Sequence, residues 1–382
     1  MLPLENLKVL DLSHLGPGML CTMILADFGA EVINICSPHM AASGPTEDKN
    51  PDVWSFAGQM NLIHESMNRN KKSVALDLKS SDSRKIFLRM AEEADVIVED
   101  FRPGVVKRLG IDYEAIQKIN SRIIYCSLSG YGQDGPYWDL PGHDLNYIGM
   151  TGALDLIGEQ DGPPVIPMFF LADFAGAALH SVIGILLALC GRTADGSGQF
   201  IDIAFTDGVL TLLTPLTHAY LNQGVLAKRG ETLYSGSQYC YTVYQCADGK
   251  YLSIGCFEPW LWANLCKALE IEDLIPHQFA QGPRRDEIFS RLKTIFLKKN
   301  RDEWFEFLRD KNVCVGKVYS LDEVVNDPLL LHRQMIQEIS DPVKGLMKYI
   351  GPTIKLSRTP GKIRSVAPAP GENTEEVIRK FV

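Results

Sequence analysis

The chain has 382 residues, and 38 Lys and Arg against 47 Asp and Glu leave a formal net charge of −9. That length suggests two or three domains and a core large enough to fold without disulfide or metal staples. An apolar fraction of 46% with 22% charged residues excludes disorder, and the acid excess argues against a broad nucleic-acid surface while permitting a local basic pocket.

Lys8–Ser13 (KVLDLS) predicts a buried strand, followed by the turn Gly16-Pro17-Gly18 and a helix over Met19–Phe28. Further strands are predicted at Val32–Ile35, Ser73–Leu78, Asp95–Glu99 and Arg122–Leu128, with a helix after Ser80 or Ser81 as N-cap. Strands alternating with helices indicate βαβ units and a parallel sheet, so the fold class is α/β. The chain then changes character. Asp173–Cys190 predicts a long apolar helix, Gln199–Phe205 a strand, and Asp207–Asn222 another helix. Residues 238–256 alternate around Asp248-Gly249, a hairpin turn, and amphipathic helices follow near 260–270 and 285–310. The expected organisation is a large domain over 1–205, a linker helix over 206–225, a small α+β domain over 226–325, and a return segment over 326–382. Few periodic segments mark that tail, which carries Pro360, Pro368, Pro370 and Gly371.

Nine scattered cysteines, with no C-x-x-C pair and no zinc-like Cys/His spacing, read as buried, reduced thiols of a cytoplasmic protein. MLPLENLKVLDLS lacks the basic and apolar regions of a signal peptide. The apolar stretch Phe169–Cys190 approaches the length of a membrane span, but Asp173 and His180 interrupt it, which predicts a buried helix of a protein without a membrane segment.

Strand, SHLGPGM, helix outlines an anion-binding turn, but the G-x-G-x-x-G pattern is incomplete at Cys21, and Asn34-Ile35-Cys36 lacks an acidic ribose partner. A tight turn and a backbone site near ligand both fit; nicotinamide chemistry does not. Basic residues gather in Asn68–Lys72 through Leu78-Lys79 and in Phe101-Arg102-Pro103-Gly104 through Lys107-Arg108, each placed at the C-terminal end of a predicted strand. They read either as phosphate ligands or as a solvated rim. His143-Asp144 follows the fifth strand, well placed for proton transfer. Asp173 stands at the start of an otherwise apolar helix, either as a cap or as a carboxyl tuned by desolvation. Glu258, before Pro259, has the same two readings.

Taken together, LKVLDLSHLGPGMLCTMILADFGAEVI, NRNKKSVALDLK, VEDFRPGVVKRLG, RIIYCSLSGYGQDGP, GHDLNY, LADFAGA, GSGQFIDIAFTDG, CADGKYLSIGCFEPWLW and VCVGKVYSLDEV resemble the family III CoA-transferase (CaiB/BaiF) and α-methylacyl-CoA racemase superfamily. GHDLNY and FEP resemble the racemase branch, whose motif positions correspond to His143 and Asp173 as the two acid–bases, Glu258 as a buttress of the histidine, and Asp144 in the same constellation. CoA contacts implied by the resemblance are Leu76, Asp77, Leu78, Lys79, Phe101, Arg102 and Arg108, with Gly142, Leu145, Asn146 and Tyr147 of the loop. The resemblance implies no metal or redox cofactor, the CoA thioester being substrate. It also implies a Rossmann-like large domain and a small domain closed into a ring. Two such rings interlock as a homodimer whose active site lies between subunits. In the transferase branch the aspartate matching Asp173 is a nucleophile that becomes an acyl anhydride and then an aspartyl-CoA thioester. Ser235-Gly236-Ser237-Gln238 is closer to that branch's glycine loop. Asn34–Ser37 replaces an arginine run that holds CoA phosphate in the racemases, and Lys71 and Lys72 are candidates to compensate.

Overall fold

The structure, a computed structural model, describes residues 1–39, 52–168 and 170–382; Phe169, which begins the predicted apolar stretch, lies outside them. The chain divides into two compact units, one of Met1–Ala153, Pro167–Thr214 and Pro328–Val382, the other of Leu154–Ile166 and Pro215–Asp327.

The first unit is built on six parallel strands: β1 (Lys8–Asp11), β2 (Glu31–Cys36), β3 (Lys71–Ala75), β4 (Val96–Glu99), β5 (Ile124–Ser129) and β6 (Gln199–Ala204), in the order β3-β2-β1-β4-β5-β6. All residues of β4 and β5 are buried, as strands covered on both faces must be. This doubly wound order reverses between β1 and β4, and the crevice beyond their carboxyl ends is where such sheets take ligands. The helix Gly16–Asp27 leaves β1 with Pro17 in its first turn, where a missing N–H costs nothing.

β3 begins two residues earlier than expected, and this relocates the first basic segment. Asn68–Lys72 lies at the N-terminal end of the strand, where its cations serve the fold. The Lys71 ammonium has no exposure and donates to Asp11 Oδ2 (3.0 Å), Thr22 Oγ1 (2.7 Å), Asn68 Oδ1 (2.9 Å) and the Met19 carbonyl (3.1 Å). Arg69 grips buried Asp27 at 3.0 and 2.6 Å and the Ile350 carbonyl at 2.7 Å. Lys72 pairs with Glu31 and Glu376. The expectation that Lys71 replaces the missing CoA-phosphate arginine is therefore overturned, because its ammonium is enclosed by four acceptors.

The predicted apolar helix is two elements. A π-helical segment, Leu171–Ala178, runs into the α-helix Leu179–Asp195. Gly176 presses on Gly208 of the helix Phe205–Leu212 so closely that a Cβ on Gly208 would meet the Gly176 carbonyl oxygen at 1.9 Å. Ser181, Val182, Ile185 and Ala188 face inward, while Leu179, Ile183, Leu186 and Leu187 are exposed. The stretch is thus half-buried rather than buried, since the sheet covers one side of it. Leu171–Asp195 is long and apolar enough to cross a membrane by length and composition, with mean hydropathy 2.0.

The second unit holds an antiparallel sheet of β7 (Tyr241–Gln245), β8 (Tyr251–Gly255) and β9 (Val315–Lys317), with its own core around Trp262, Tyr244, Phe296 and Trp304. The predicted 285–310 helix is broken into Gly282–Phe296 and Arg301–Leu308, because the Glu303 side chain turns back to accept the Asn300 N–H at 2.8 Å. Leu154–Ile166, expected within the large domain, belongs to this unit, tied by Arg229 to Asp155 (3.1 Å) and by Gln160 to Glu231 (3.2 Å).

The tail returns to the first unit and carries a hairpin that its sparse periodicity concealed, β10 (Ile336–Asp341) against β11 (Gly345–Ile350). It then follows the β3 edge, where Asn373 donates its N–H to the Ser73 carbonyl (2.8 Å) and accepts the Ser73 N–H (3.0 Å). All nine cysteines are free thiols; seven are buried, but Cys190 and Cys314 are exposed, against expectation. Breaking the Lys71–Asp11 pair from one side strands a buried charge. Lys71→Met is expected to lower unfolding free energy by about 3–5 kcal/mol in urea titrations, and a loss below about 1 kcal/mol would refute that weight.

Candidate active site

A cleft of about 310 Å³ opens at the carboxyl ends of β1, β4 and β5. Leu15 and Pro17 form one wall, Asp100–Pro103 another, Leu128–Gly130 the floor, and 138–143 with Asn146 and Tyr147 the far side, with Asp173 and Phe205 completing it. The sequence segment GHDLNY builds much of it, each residue doing different work. Gly142 and Gly130 make room for Tyr147: a Cβ on either would lie 2.6 or 2.3 Å from the phenol ring. The Tyr147 hydroxyl donates to the Gly142 carbonyl at 2.5 Å. His143 precedes the helix Asp144–Met150, and its N–H donates to Asn146 Oδ1 at 3.0 Å, which fixes the loop that brings His143 to the cleft.

Asp144 reaches across to the π-helical segment, where its Oδ2 accepts the N–H groups of Ala172 (2.7 Å) and Asp173 (3.0 Å). A carboxylate at a helix start is favoured by the exposed amides. A second carboxylate repeats the arrangement: Asp100 accepts the N–H groups of His14 (3.0 and 3.1 Å) and Leu15 (3.0 Å) at the glycine turn. The anion-binding turn read from the sequence is therefore occupied by the chain's own side chain. The amides at the start of the π-helical segment are likewise engaged, by Asp144.

Asp173 lines the cleft with Asp100 and feels both of these carboxylates. Burial, then the charges of Asp144 and Asp100, push its carboxyl from an ordinary value near 3.8 up to about 7. Nearby, burial also pushes Glu99 up to about 7; it accepts the Ser127 hydroxyl and, at 2.8 Å, the Phe101 N–H, which secures the loop bearing Phe101 and Arg102.

Of the residues named from the sequence, His143, Asp173, Phe101, Arg102, Gly142, Asn146 and Tyr147 line the cleft, and Asp144 bonds to Asp173 from behind. Leu76, Asp77, Leu78, Lys79, Arg108 and Leu145 do not line it. Leu76 is buried after β3, Leu78 packs on the core, and the Lys79 N–H donates to Asp77 Oδ1 at 3.1 Å. Arg108 lies beside Gly104, and Leu145 is exposed. Glu258 belongs to the second unit, exposed at the start of the helix Pro259–Ala268. Sequence reasoning passed over Asp100, Ser129 and Trp138. The signal for Asp100 was its place directly before Phe101-Arg102, a carboxylate inside a basic segment. Among the described residues no cluster of His, Cys, Asp and Glu is suited to hold a metal ion.

A doubly wound sheet with an imidazole and a proton-holding carboxyl at its switch-point crevice defines an α/β protein equipped for acid–base or acyl chemistry. Residues 4–374 match CoA-transferase family III, and the chain belongs to that family, whose members include both CoA-transferases and racemases. It is 33% identical to an alpha-methylacyl-CoA racemase of Homo sapiens, over 99% of this chain and 93% of that protein. It is 30% identical to the succinyl-CoA:glutarate CoA-transferase of Homo sapiens, over 100% of this chain and 86% of that protein. A CaiB/BaiF family protein from Brucella suis shares the fold with a TM-score of 0.85 at 29% identity, covering 100% of both chains.

Because Asp173 keeps its proton when folded and loses it when unfolded between pH 3.8 and about 7, its ionisation opposes folding, increasingly so as pH rises across that window. Asp173→Asn is therefore expected to stabilise the protein by roughly 2 kcal/mol at pH 8 and scarcely at pH 4, measured by denaturant unfolding at both. Equal effects at the two pH values would contradict this.

Proposed function

We propose that the chain is an isomerase that epimerises 2-methylacyl-CoA thioesters by 1,1-proton transfer through an enolate, His143 and Asp173 acting as the two acid–bases. The observation that carries this reading is the Asp173 carboxyl, pushed up to about 7 in the cleft that His143 also lines. Inverting an α-carbon requires one group to take a proton from one face and another to deliver one to the opposite face. A carboxyl that titrates near neutrality both gives and takes protons at the working pH. The same property weighs against a nucleophilic role, since a protonated carboxyl is a poor nucleophile.

Asp144 orients Asp173 through its backbone amide, and Asn146 and Tyr147 hold His143 in place. Arg102, exposed at the cleft, is suited to a CoA phosphate, and Phe101 to apolar contact; the Leu76–Lys79 and Arg108 positions extend this surface beyond the cleft. The scheme uses side chains and the thioester alone, with no metal or redox cofactor. The protein works as a homodimer in the cytoplasm, the exposed Leu179, Ile183, Leu186 and Leu187 supplying apolar surface for a second copy, whose Glu258 equivalent buttresses the histidine.

A second reading, CoA transfer between carboxylic acids through an aspartyl-CoA thioester on Asp173, rests on the Ser235–Gln238 turn. There Gly236 takes φ +82°, and the Ser235 and Ser237 hydroxyls donate to the Thr232 carbonyl at 2.7 and 2.9 Å. Relatives that transfer CoA support it as well.

Incubation with (R)-2-methylacyl-CoA in D2O separates the two. The isomerase reading expects α-deuterium with loss of optical purity, and a fall of about 10²- to 10⁴-fold in Asp173→Ala and in His143→Ala. The active enzyme holds one proton between the two groups, so kcat/KM is expected to be bell-shaped in pH and alike in both directions. Absence of exchange with several acyl chains, together with hydroxylamine trapping at Asp173 and CoA movement to added carboxylates, would overturn it in favour of transfer.

A further inference from the structure

We propose that His14 and Asp100, held side by side at the wall of the cleft, are positioning residues that set the charge Asp173 faces: Asp100 through its carboxylate, His14 by offsetting it. Asp100 is fixed by the three contacts to the His14 and Leu15 amides, and its side chain is only 4% exposed. A Cβ on Gly18 would lie 3.4 Å from Asp100 Oδ2 and 2.3 Å from Ser13 Cβ, so glycine alone admits this packing. The His14 ring reaches the same carboxylate, with Nδ1 at 3.9 Å from Oδ1, and leans on the Phe101 ring at 5.0 Å.

The wall that carries this pair touches the segment that carries Asp173, since a Cβ on Gly16 would meet the Phe174 ring at 3.1 Å. Asp100 and Asp173 line the same cleft, where one carboxylate disfavours a second negative charge and an imidazolium beside it offsets that effect. Burial works against a charged His14, but the Asp100 carboxylate, with the Asp11 charge and the Leu12 backbone, together raise the ring above its ordinary range. The other charged and titratable groups at this corner are Asp144, His143 and Tyr147 from the helix Asp144–Met150 and its cap, Tyr131 beside Tyr147, Asp139 on the far side of the cleft, Glu99 at the end of β4, Arg102 from the loop after β4, and Asp11 behind His14. All of them remain in the variants that follow.

This inference deepens the acid–base reading of Asp173, and its test has a readout that does not need turnover. The Asp173 carboxyl is titrated by carbon-13 NMR, assigned by the signal lost in Asp173→Asn, and the pH profile of α-proton exchange is measured alongside. Asp100→Asn keeps an oxygen for the two amides but removes the charge, so the Asp173 midpoint is expected to fall by about half to one pH unit. His14→Gln removes the offsetting cation and is expected to raise the midpoint, with the limbs of the exchange profile following in both variants. Midpoints within about 0.2 pH unit of the wild type, or moving in the same direction in both variants, would overturn the proposal. His14→Gln leaves every backbone bond of Asp100 in place, so it decides the sign alone if Asp100→Asn fails to fold. If the wild type exchanges no α-proton, the isomerase reading fails, while the two midpoints still decide the role of the pair.

Discussion

An ammonium without solvent survives in a protein only if its surroundings replace water completely, and Lys71 is placed under that constraint. Burial pulls its pKa down while the Asp11 carboxylate works the other way. Its four partners come from the end of β1, the first turns of the helix Gly16–Asp27, and the residues leading into β3. Asp11 in turn accepts the N–H of Ser13 and the hydroxyls of Ser13 and Thr22. One buried charge therefore fixes the angle at which the chain leaves β1. That angle presents the amides of His14 and Leu15 to Asp100 and brings Leu15 and Pro17 to the cleft.

The cleft repeats one device. Two helix starts that open towards it are each filled by a carboxylate of the chain, Asp100 at one and Asp144 at the other. Exposed amides make each carboxylate comfortable where it sits. The third, Asp173, is half-buried and within the field of both, so it holds a proton at a pH where an exposed aspartate would have lost it. Local stability at neutral and alkaline pH is sacrificed for a carboxyl that can exchange protons. The π-helical segment that bears Asp173 belongs to the same compromise, since such segments depart from regular helix geometry and recur at functional sites.

Much of the first unit was legible in the chain. Short β-branched runs alternating with helical patterns announced the parallel sheet, and Gly142, His143, Asp144, Asn146 and Tyr147 form a compact local motif whose members act within one turn of each other. Local patterns did not reveal what depends on distant partners. Lys71 read as a phosphate ligand or a solvated rim residue because its acceptors lie up to 60 residues away. The hairpin of Ile336–Ile350 escaped notice because a half-exposed pair of strands alternates weakly. Leu154–Ile166 looked like a continuation of the sheet domain until Arg229 and Glu231 claimed it.

The chain's own local patterns thus settled the fold class and most of the strand-and-helix succession of the sheet, and singled out His143 and Asp173, which both line the cleft, because hydrophobic periodicity and short motifs are local properties of the chain. Tertiary structure alone decided which charges are enclosed and which are free, and what each carboxylate does. A side chain's proton affinity depends on burial and on neighbours within a few ångströms, and the sheet order brings β1, β4 and the Asp173 segment together from positions far apart in sequence. Asp100 shows the difference most plainly. In the sequence it is an acid among bases, and in the fold it seals one helix start and lines the same cleft as the carboxyl whose proton affinity it raises.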